Sequence, residues 1–439
     1  TGNGLDDRHP PLWFVVLHGV GLFGQTEALA RLPAAIAGAL IGPAIVWATH
    51  LVRGRAGVAA AWCGLAATIS PELVRRSREV SEIPFFSVLV IAAIALTLRL
   101  AHRSSVQTKR ALVVVTGLLA WTYYLAPLVV LALVIALGFG RRLKKDVLVA
   151  LGWGSLWGAP ALLLGLRIIF RDHNARSVAA IFPSLAWGER SSLETLADIG
   201  KQIASSVGTP IIFVAVVTGV IALHRRDHAA PVALVVVGTT AVGIALAAQF
   251  ARVQPYYIIA IVPALLLAVA LGPSPHAPDR PIWWLVCAAS IIPFGSLSLA
   301  GASSLYVPDS AAFMPRFASF VQQRSESRII VVAHYDATLL TYYLERDAGG
   351  RVAWPGLDST GEFVLPAAGK RILALAQAHA LHERSDEEAQ AKLRVALERG
   401  PALVIERDAF VLERVHQDLA HCFTLLTAPS ARLLQCSGP

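Results

Sequence analysis

The sequence predicts a polytopic α-helical membrane protein of about ten or eleven spans, carrying a small α/β domain at its C-terminal end. Apolar windows recur along the first 305 positions, each of them about 20 residues and so long enough to cross a hydrocarbon core. Hydrophobic residues make up 55% of the chain and charged residues 15%, whereas a water-soluble globule averages about 25% charged. Beyond residue 305 short apolar runs alternate with segments rich in Glu, Lys, Arg and Ala. Two regions follow: a membrane domain over 1–304 and a soluble domain over 305–439.

The expected spans are 31–51, 57–70, 83–101, 110–123, 125–140, 146–168, 207–223, 229–249, 255–272 and 281–304. The run 11–24 is short and broken by glycine, so it reads as a juxtamembrane helix. Pro127 divides the apolar stretch 110–140 into two spans; a single helix kinked at that proline is the alternative. No cleavable signal sequence is visible and the chain starts at Thr1. A first span is therefore expected upstream of it.

The loops sort by charge. Arg53, Arg55, Arg99, Arg103, Lys109, Arg110, Arg141, Arg142, Lys144, Lys145, Arg225 and Arg226 all fall in short connections. Placing these in the cytoplasm satisfies the positive-inside rule at every alternate turn. The segments 1–10, 71–82, 171–206, 250–254 and everything after 305 then face outward, and a location in the cell inner membrane is implied. The net charge of +9 and pI near 9.7 thus reflect insertion topology and anionic headgroups rather than nucleic acid.

In the C-terminal domain, Arg328–Ala333 and Ala402–Ile405 read as strands. Ala337–Arg346, Asp386–Arg399 and Phe410–His421 read as helices. No glycine-rich phosphate loop is present, so an accessory or docking role without chemistry is expected. Cys63 and Cys287 lie within spans as packing residues. Cys422 and Cys436 lie in the exported tail, where an oxidising compartment permits a disulfide closing the last strand pair; two buried thiols are the alternative.

Four stretches carry a resemblance to a known family. They are Asp7-Arg8-His9-Pro10-Pro11-Leu12-Trp13; Arg31-Leu32-Pro33 through Gly38; Ser70-Pro71 through Ser77-Arg78-Glu79; and Tyr256-Tyr257 through Pro263. In order and spacing they resemble the motifs of C-type (GT-C) membrane glycosyltransferases, on the branch of protein O-mannosyltransferases and aminoarabinose transferases. The sequence departs from that pattern at Ser81 and Tyr256, where the family carries Arg. The family's acidic residue after the first span has no counterpart after Thr1.

The resemblance implies transfer of a sugar, hexosyl or pentosyl, from a polyprenyl-phosphate donor to a lipid, glycan or protein acceptor on the outer side. Such chemistry needs cations for the departing phosphate, and arginine meets phosphate oxygens two at a time. Arg75, Arg76 and Arg78 form one cluster, Arg252 a second, and Arg171 with Arg176 a third. Headgroup snorkelling is the structural alternative for the first cluster. His9 and Tyr257 complete the substrate-binding candidates.

A carboxylate must take the acceptor's proton; Asp7, Asp6 and Glu79 are the candidates. Asp6 could instead cap a helix, and Glu79 could pair with Arg75 or Arg76. Asp7, His9 and His173 (or Asp172) could hold a divalent cation. The loop 171–206 has the make-up of an interfacial amphipathic helix over the site. A transporter or flippase of lipid-linked saccharide, and a non-catalytic scaffold, are the rival readings; transport would demand ionisable groups near the bilayer midplane.

Overall fold

The computed structural model describes residues 11–24, 27–139, 144–174, 192–207, 209–247, 255–272, 309–324, 328–333, 340, 343–344, 362–365, 369–376, 383–407, 413–428 and 431–436. The chain forms two compact units. The described residues of the first run from Pro11 to Gly272, and those of the second from Asp309 to Cys436.

The first unit is helical. Pro10 and Pro11 stop the preceding chain, and proline at a first helical position has no amide to leave unsatisfied; helix α1 accordingly runs Pro11–Gly21. The others are α2 (Glu27–Arg53), α3 (Val58–Ile69), α4 (Pro71–Arg78), α5 (Ile83–His102), α6 (Val106–Thr122), α7 (Ala126–Phe139), α8 (Lys145–Asn174), α9 (Ser192–Val207), α10 (Thr209–His224) and α11 (Ala229–Ala247). A 3-10 turn, Pro255–Ala260, then leads into α12, Val262–Ala270. Pro127 stands in the first turn of α7, so the apolar stretch 110–140 is two helices, not one kinked one.

By length and composition four of these suffice to cross a membrane: Ala28–Arg53, Ile83–His102, Lys145–Leu164 and Ala229–Leu246. The 12 residues of α3 rise about 18 Å, well short of a hydrocarbon core of about 30 Å. The expected span 57–70 is therefore a short helix. The expected span 255–272 is likewise a 3-10 turn joined to a 9-residue helix. The expected span 281–304 lies outside the described residues.

The apolar surface shows what solvent the unit suits. Leu32, Ile36 and Leu40 on α2 stand at i, i+4, i+8 and are exposed, as are Phe213, Val216, Val220 and Leu223 on α10. Continuous apolar stripes of this kind on the outside of a bundle are stable against lipid tails, not water. Inside, α2 and α3 meet through glycine: a Cβ at Gly42 would lie 2.8 Å from the Gly64 carbonyl oxygen, the close backbone approach that small residues permit in membrane bundles.

The charged connections collect at one end. The Arg53 guanidinium ion-pairs with Asp227 at 2.6 Å and donates to the Leu271 and Gly272 carbonyls that end α12. Nearby in this end layer, Arg99 donates to the Leu51 carbonyl at 3.3 Å, Lys109 pairs with Asp146 at 3.2 Å, and Lys144 donates to the His102 carbonyl at 3.4 Å. At the opposite end the Ser70 hydroxyl donates to the Ser206 carbonyl at 2.6 Å, joining the α3–α4 junction to α9. Among the described residues, the basic connections after α2, α5 and α10 thus lie at the end of the bundle away from the α3–α4 junction and the end of α9.

The second unit is a six-stranded sheet in the order β2-β3-β1-β4-β6-β5. Its strands are β1 (Arg328–Ala333), β2 (Glu362–Leu365), β3 (Lys370–Ala376), β4 (Ala402–Arg407), β5 (Phe423–Ala428) and β6 (Ala431–Cys436). The centre, β3-β1-β4, is parallel, and β2, β6 and β5 flank it antiparallel. Met314 and Phe317 of α13 (Asp309–Gln322) cover one face, over Ile329, Val331 and Ile405. Leu393 of α14 (Glu383–Glu398) and Val415 of α15 (Glu413–Leu419) cover the other, over Ile330 and Val404. This two-sided covering is why the parallel strands are apolar without alternation. Cys422 and Cys436 are disulfide-bonded across the β5–β6 hairpin, and Cys63 is buried and in no disulfide.

Candidate functional site

Helix α4 carries the first arginine cluster. Ser70 precedes it, Pro71 opens it, and Glu72 stands in its first turn with Arg75, Arg76 and Arg78 in its last, an order that suits the helix dipole. The segment expected as an outward loop over 71–82 is thus mostly helix. Arg75 pairs with Glu72 at 2.8 Å and with Glu79 at 3.6 Å; Arg76 pairs with Glu79 at 2.9 Å. Glu79 therefore holds two guanidinium groups in place, as the structural alternative for it foresaw. Arg78 is exposed and, among the described residues, has no ion-pair partner.

The depth of α4 explains this pairing. A Cβ at Gly38 would fall 1.9 Å from the Ser77 hydroxyl oxygen, so α4 rests directly on the α2 backbone at that point. Gly38 lies 15 residues before Arg53, a rise of about 22 Å, less than the roughly 30 Å of a hydrocarbon core. Measured from the arginine end, α4 sits at a level where charges are stable when paired.

Other elements close around it. The amphipathic helix expected within 171–206 is α9; it packs on the 3-10 turn and touches α4. The turn and α12 form the interior of the unit: every residue from Ile258 to Leu271 is buried. Ser87 of α5 donates to the Ala260 carbonyl at 2.9 Å and locks α5 to the turn. The backbone at Tyr256 and Tyr257 thus belongs to the same end of the bundle as α4, and Pro263 opens α12 as the fourth motif implied.

One carboxylate there was passed over in the sequence. Glu82, between α4 and α5, is 5% exposed. Among the described residues of the helical unit it is the one buried charged side chain. Its sequence signal is an acid three residues after Glu79, directly before the apolar run 83–101.

Asp6, Asp7, His9, Arg176 and Arg252 lie outside the described residues. Arg171, Asp172 and His173 belong to the last turn of α8, whose backbone alone is described there. Among the described residues no group of three His, Cys, Asp or Glu side chains could hold a metal ion; the divalent-cation expectation rests on Asp7, His9 and His173.

No protein-family model and no curated protein matches the sequence. Comparison with solved structures shows a shared fold, that of the C-type membrane glycosyltransferase ArnT. The chain is similar to ArnT, an aminoarabinose transferase from Cupriavidus metallidurans, in its apo state, with a TM-score of 0.55 and 15% identity over 98% of this chain and 87% of that one. The same enzyme bound to undecaprenyl phosphate matches with a TM-score of 0.55 and 14% identity over 98% and 88%.

Proposed function

We propose that this protein is an integral-membrane glycosyltransferase that moves a sugar from a polyprenyl-phosphate donor to an acceptor on the outer side of the cell inner membrane. The carrying observation is the fold shared with ArnT along nearly the whole chain, joined to an arginine-bearing helix at one end of the bundle. The neighbour's undecaprenyl phosphate supports a polyprenyl phosphate as partner here.

In this reading Arg78, exposed and without an ion-pair partner among the described residues, meets the phosphate as the glycosidic bond breaks. Arg75 and Arg76, fixed by Glu72 and Glu79, supply positive potential without reorganising. Arg252, His9 and Tyr257 contribute from the adjoining segments, and Asp7 or Asp6 from the first loop. Asp7, His9 and His173 would hold a divalent cation, which would supply further positive charge beside the donor phosphate. The arginine-rich end faces the cytoplasm by the positive-inside rule, which puts α4, α9 and the C-terminal domain outside. The Cys422–Cys436 disulfide suits that compartment. The described charged side chains of the bundle lie in the Arg53 end layer or at the α4 level, about 22 Å from it and beyond the midplane of a roughly 30 Å core, which favours surface chemistry over transport.

The test is transfer of radiolabel from polyprenyl-phosphate sugars by the full-length protein, compared with Asp7→Asn and Arg78→Ala. Loss of one bidentate phosphate contact is expected to lower turnover by about 100-fold or more. Transfer untouched by both substitutions would discard the site, and no transfer from any donor would discard the activity.

A further inference from the structure

We infer that Glu82 is the carboxylate that receives the acceptor's proton, an assignment that rests on the glycosyltransferase reading. The first observation is burial. Of the described charged side chains in the helical unit, Glu82 alone is removed from water. An acid withdrawn into a membrane bundle is costly and marks function rather than surface decoration. It does not serve the helix it precedes, since its side chain makes no capping bond to α5. Its carbonyl alone accepts from the Phe86 amide.

The second observation is level. Ser87 and Ala260 are bonded at 2.9 Å, and from that tie α5 and the 3-10 turn both run back toward the α4 end. Five residues of α-helix from Ser87 to Glu82 rise about 7.5 Å. Three or four residues of 3-10 helix from Ala260 to Tyr257 and Tyr256 rise about 6 to 8 Å. Glu82 therefore stands level with the backbone of the segment that carries the fourth motif.

The third observation is position: Glu82 follows α4 and opens α5, which packs on both α4 and the 3-10 turn.

The step balances as follows. The acceptor's oxygen or nitrogen attacks the anomeric carbon and its proton passes to the Glu82 carboxylate. The bond from that carbon to the phosphate oxygen breaks, and the electron pair leaves on polyprenyl phosphate.

The experiment compares wild type, Glu82→Gln and Glu82→Asp in full-length protein, measuring kcat and KM for label transfer across pH, with folded fraction read by thermal unfolding. A lost general base predicts a fall in kcat of about 100- to 10,000-fold with KM little changed. The deficit should narrow as rising pH deprotonates the acceptor without help, and Glu82→Asp should recover part of the rate. Three results overturn the assignment: Glu82→Gln turning over like wild type, a deficit that tracks only the loss of folded protein, or one that is the same at every pH. A wild-type enzyme that transfers no sugar from any donor would instead overturn the underlying activity, and the two failures are told apart by the wild-type arm alone.

Discussion

Arg76 has the most enclosed side chain of the α4 arginines whose ion pairs are described, at 13% exposure against 35% for Arg75, and its pair with Glu79 is therefore the part of that network least screened by water. Replacing Arg76 by Met keeps the aliphatic stem and leaves Glu79 only its longer 3.6 Å pair with Arg75, which should cost about 1 kcal/mol. Adding Arg75→Met should cost more than the sum of the two single changes, because the doubly substituted chain alone leaves the Glu79 carboxylate without either guanidinium. Thermal unfolding of the two single variants and the double one in the same detergent checks this. A second residue-scale expectation concerns the soluble unit. Arg394 holds the Asp418 carboxylate by two hydrogen bonds, at 2.8 and 3.2 Å, and these keep its pKa below the usual aspartate value. A depressed pKa in the folded state contributes stability above the unfolded value, near 3.9, and loses it as pH falls through the folded one. Asp418→Asn should therefore loosen amide exchange in α14 and α15 slightly at pH 7, and the difference from wild type should vanish once pH has fallen through the lowered folded-state pKa.

Among the elements, the seat of α4 on α2 decides whether the site exists. Gly38→Ala would place a methyl 2.5 Å from the Ser77 Cβ, so the two helices must part. Transfer activity should drop while Ser77→Gly in the same chain restores it, a rescue that activity assays and thermal unfolding both report. The disulfide is a simpler element-scale device. Its 14-residue separation closes a loop whose opening, by Cys436→Ser, should destabilise the soluble unit by about 3 kcal/mol, seen as earlier unfolding that reducing agent reproduces in wild type. These two cases also show what the sequence could and could not reveal. The β5–β6 closure was legible because two cysteines fell in a tail whose expected export permits a disulfide. The long apolar helices and the break at Pro127 were legible because hydrophobic runs and proline act locally. The helical nature of 71–78 was hidden by its charge: Arg75 and Arg76 look like loop residues until Glu72 and Glu79 are seen one turn away. Strands β2 and β3 escaped because Glu362–Leu365 and Lys370–Ala376 are short and bounded by polar residues, and their pairing is long-range. Glu82 escaped because burial is a property of the packed junction, not of the sequence around it.

At the scale of the whole molecule, the bundle is polar at two ends for different reasons. One end ties Arg53 to Asp227 and to the terminal carbonyls of α12, which completes hydrogen bonds that a helix end leaves open. The other end presents α4, α9 and Glu82. Only one orientation lets the positive-inside rule and an outward site hold together, and it can be read directly. With Cys63 and Cys287 replaced by Ala and the Cys422–Cys436 bridge kept, single cysteines at Arg55 and at Lys201 report the two ends. Both positions are exposed; Arg55 follows α2 beyond Arg53, and Lys201 lies on α9, which packs against the 3-10 turn and α4. A membrane-impermeant maleimide applied to intact spheroplasts should label Lys201→Cys at once and Arg55→Cys after permeabilisation alone. Labelling in the opposite order would turn the molecule over. The arginines of α4 would then face the cytoplasm, where they fit the insertion rule and need no phosphate to account for them.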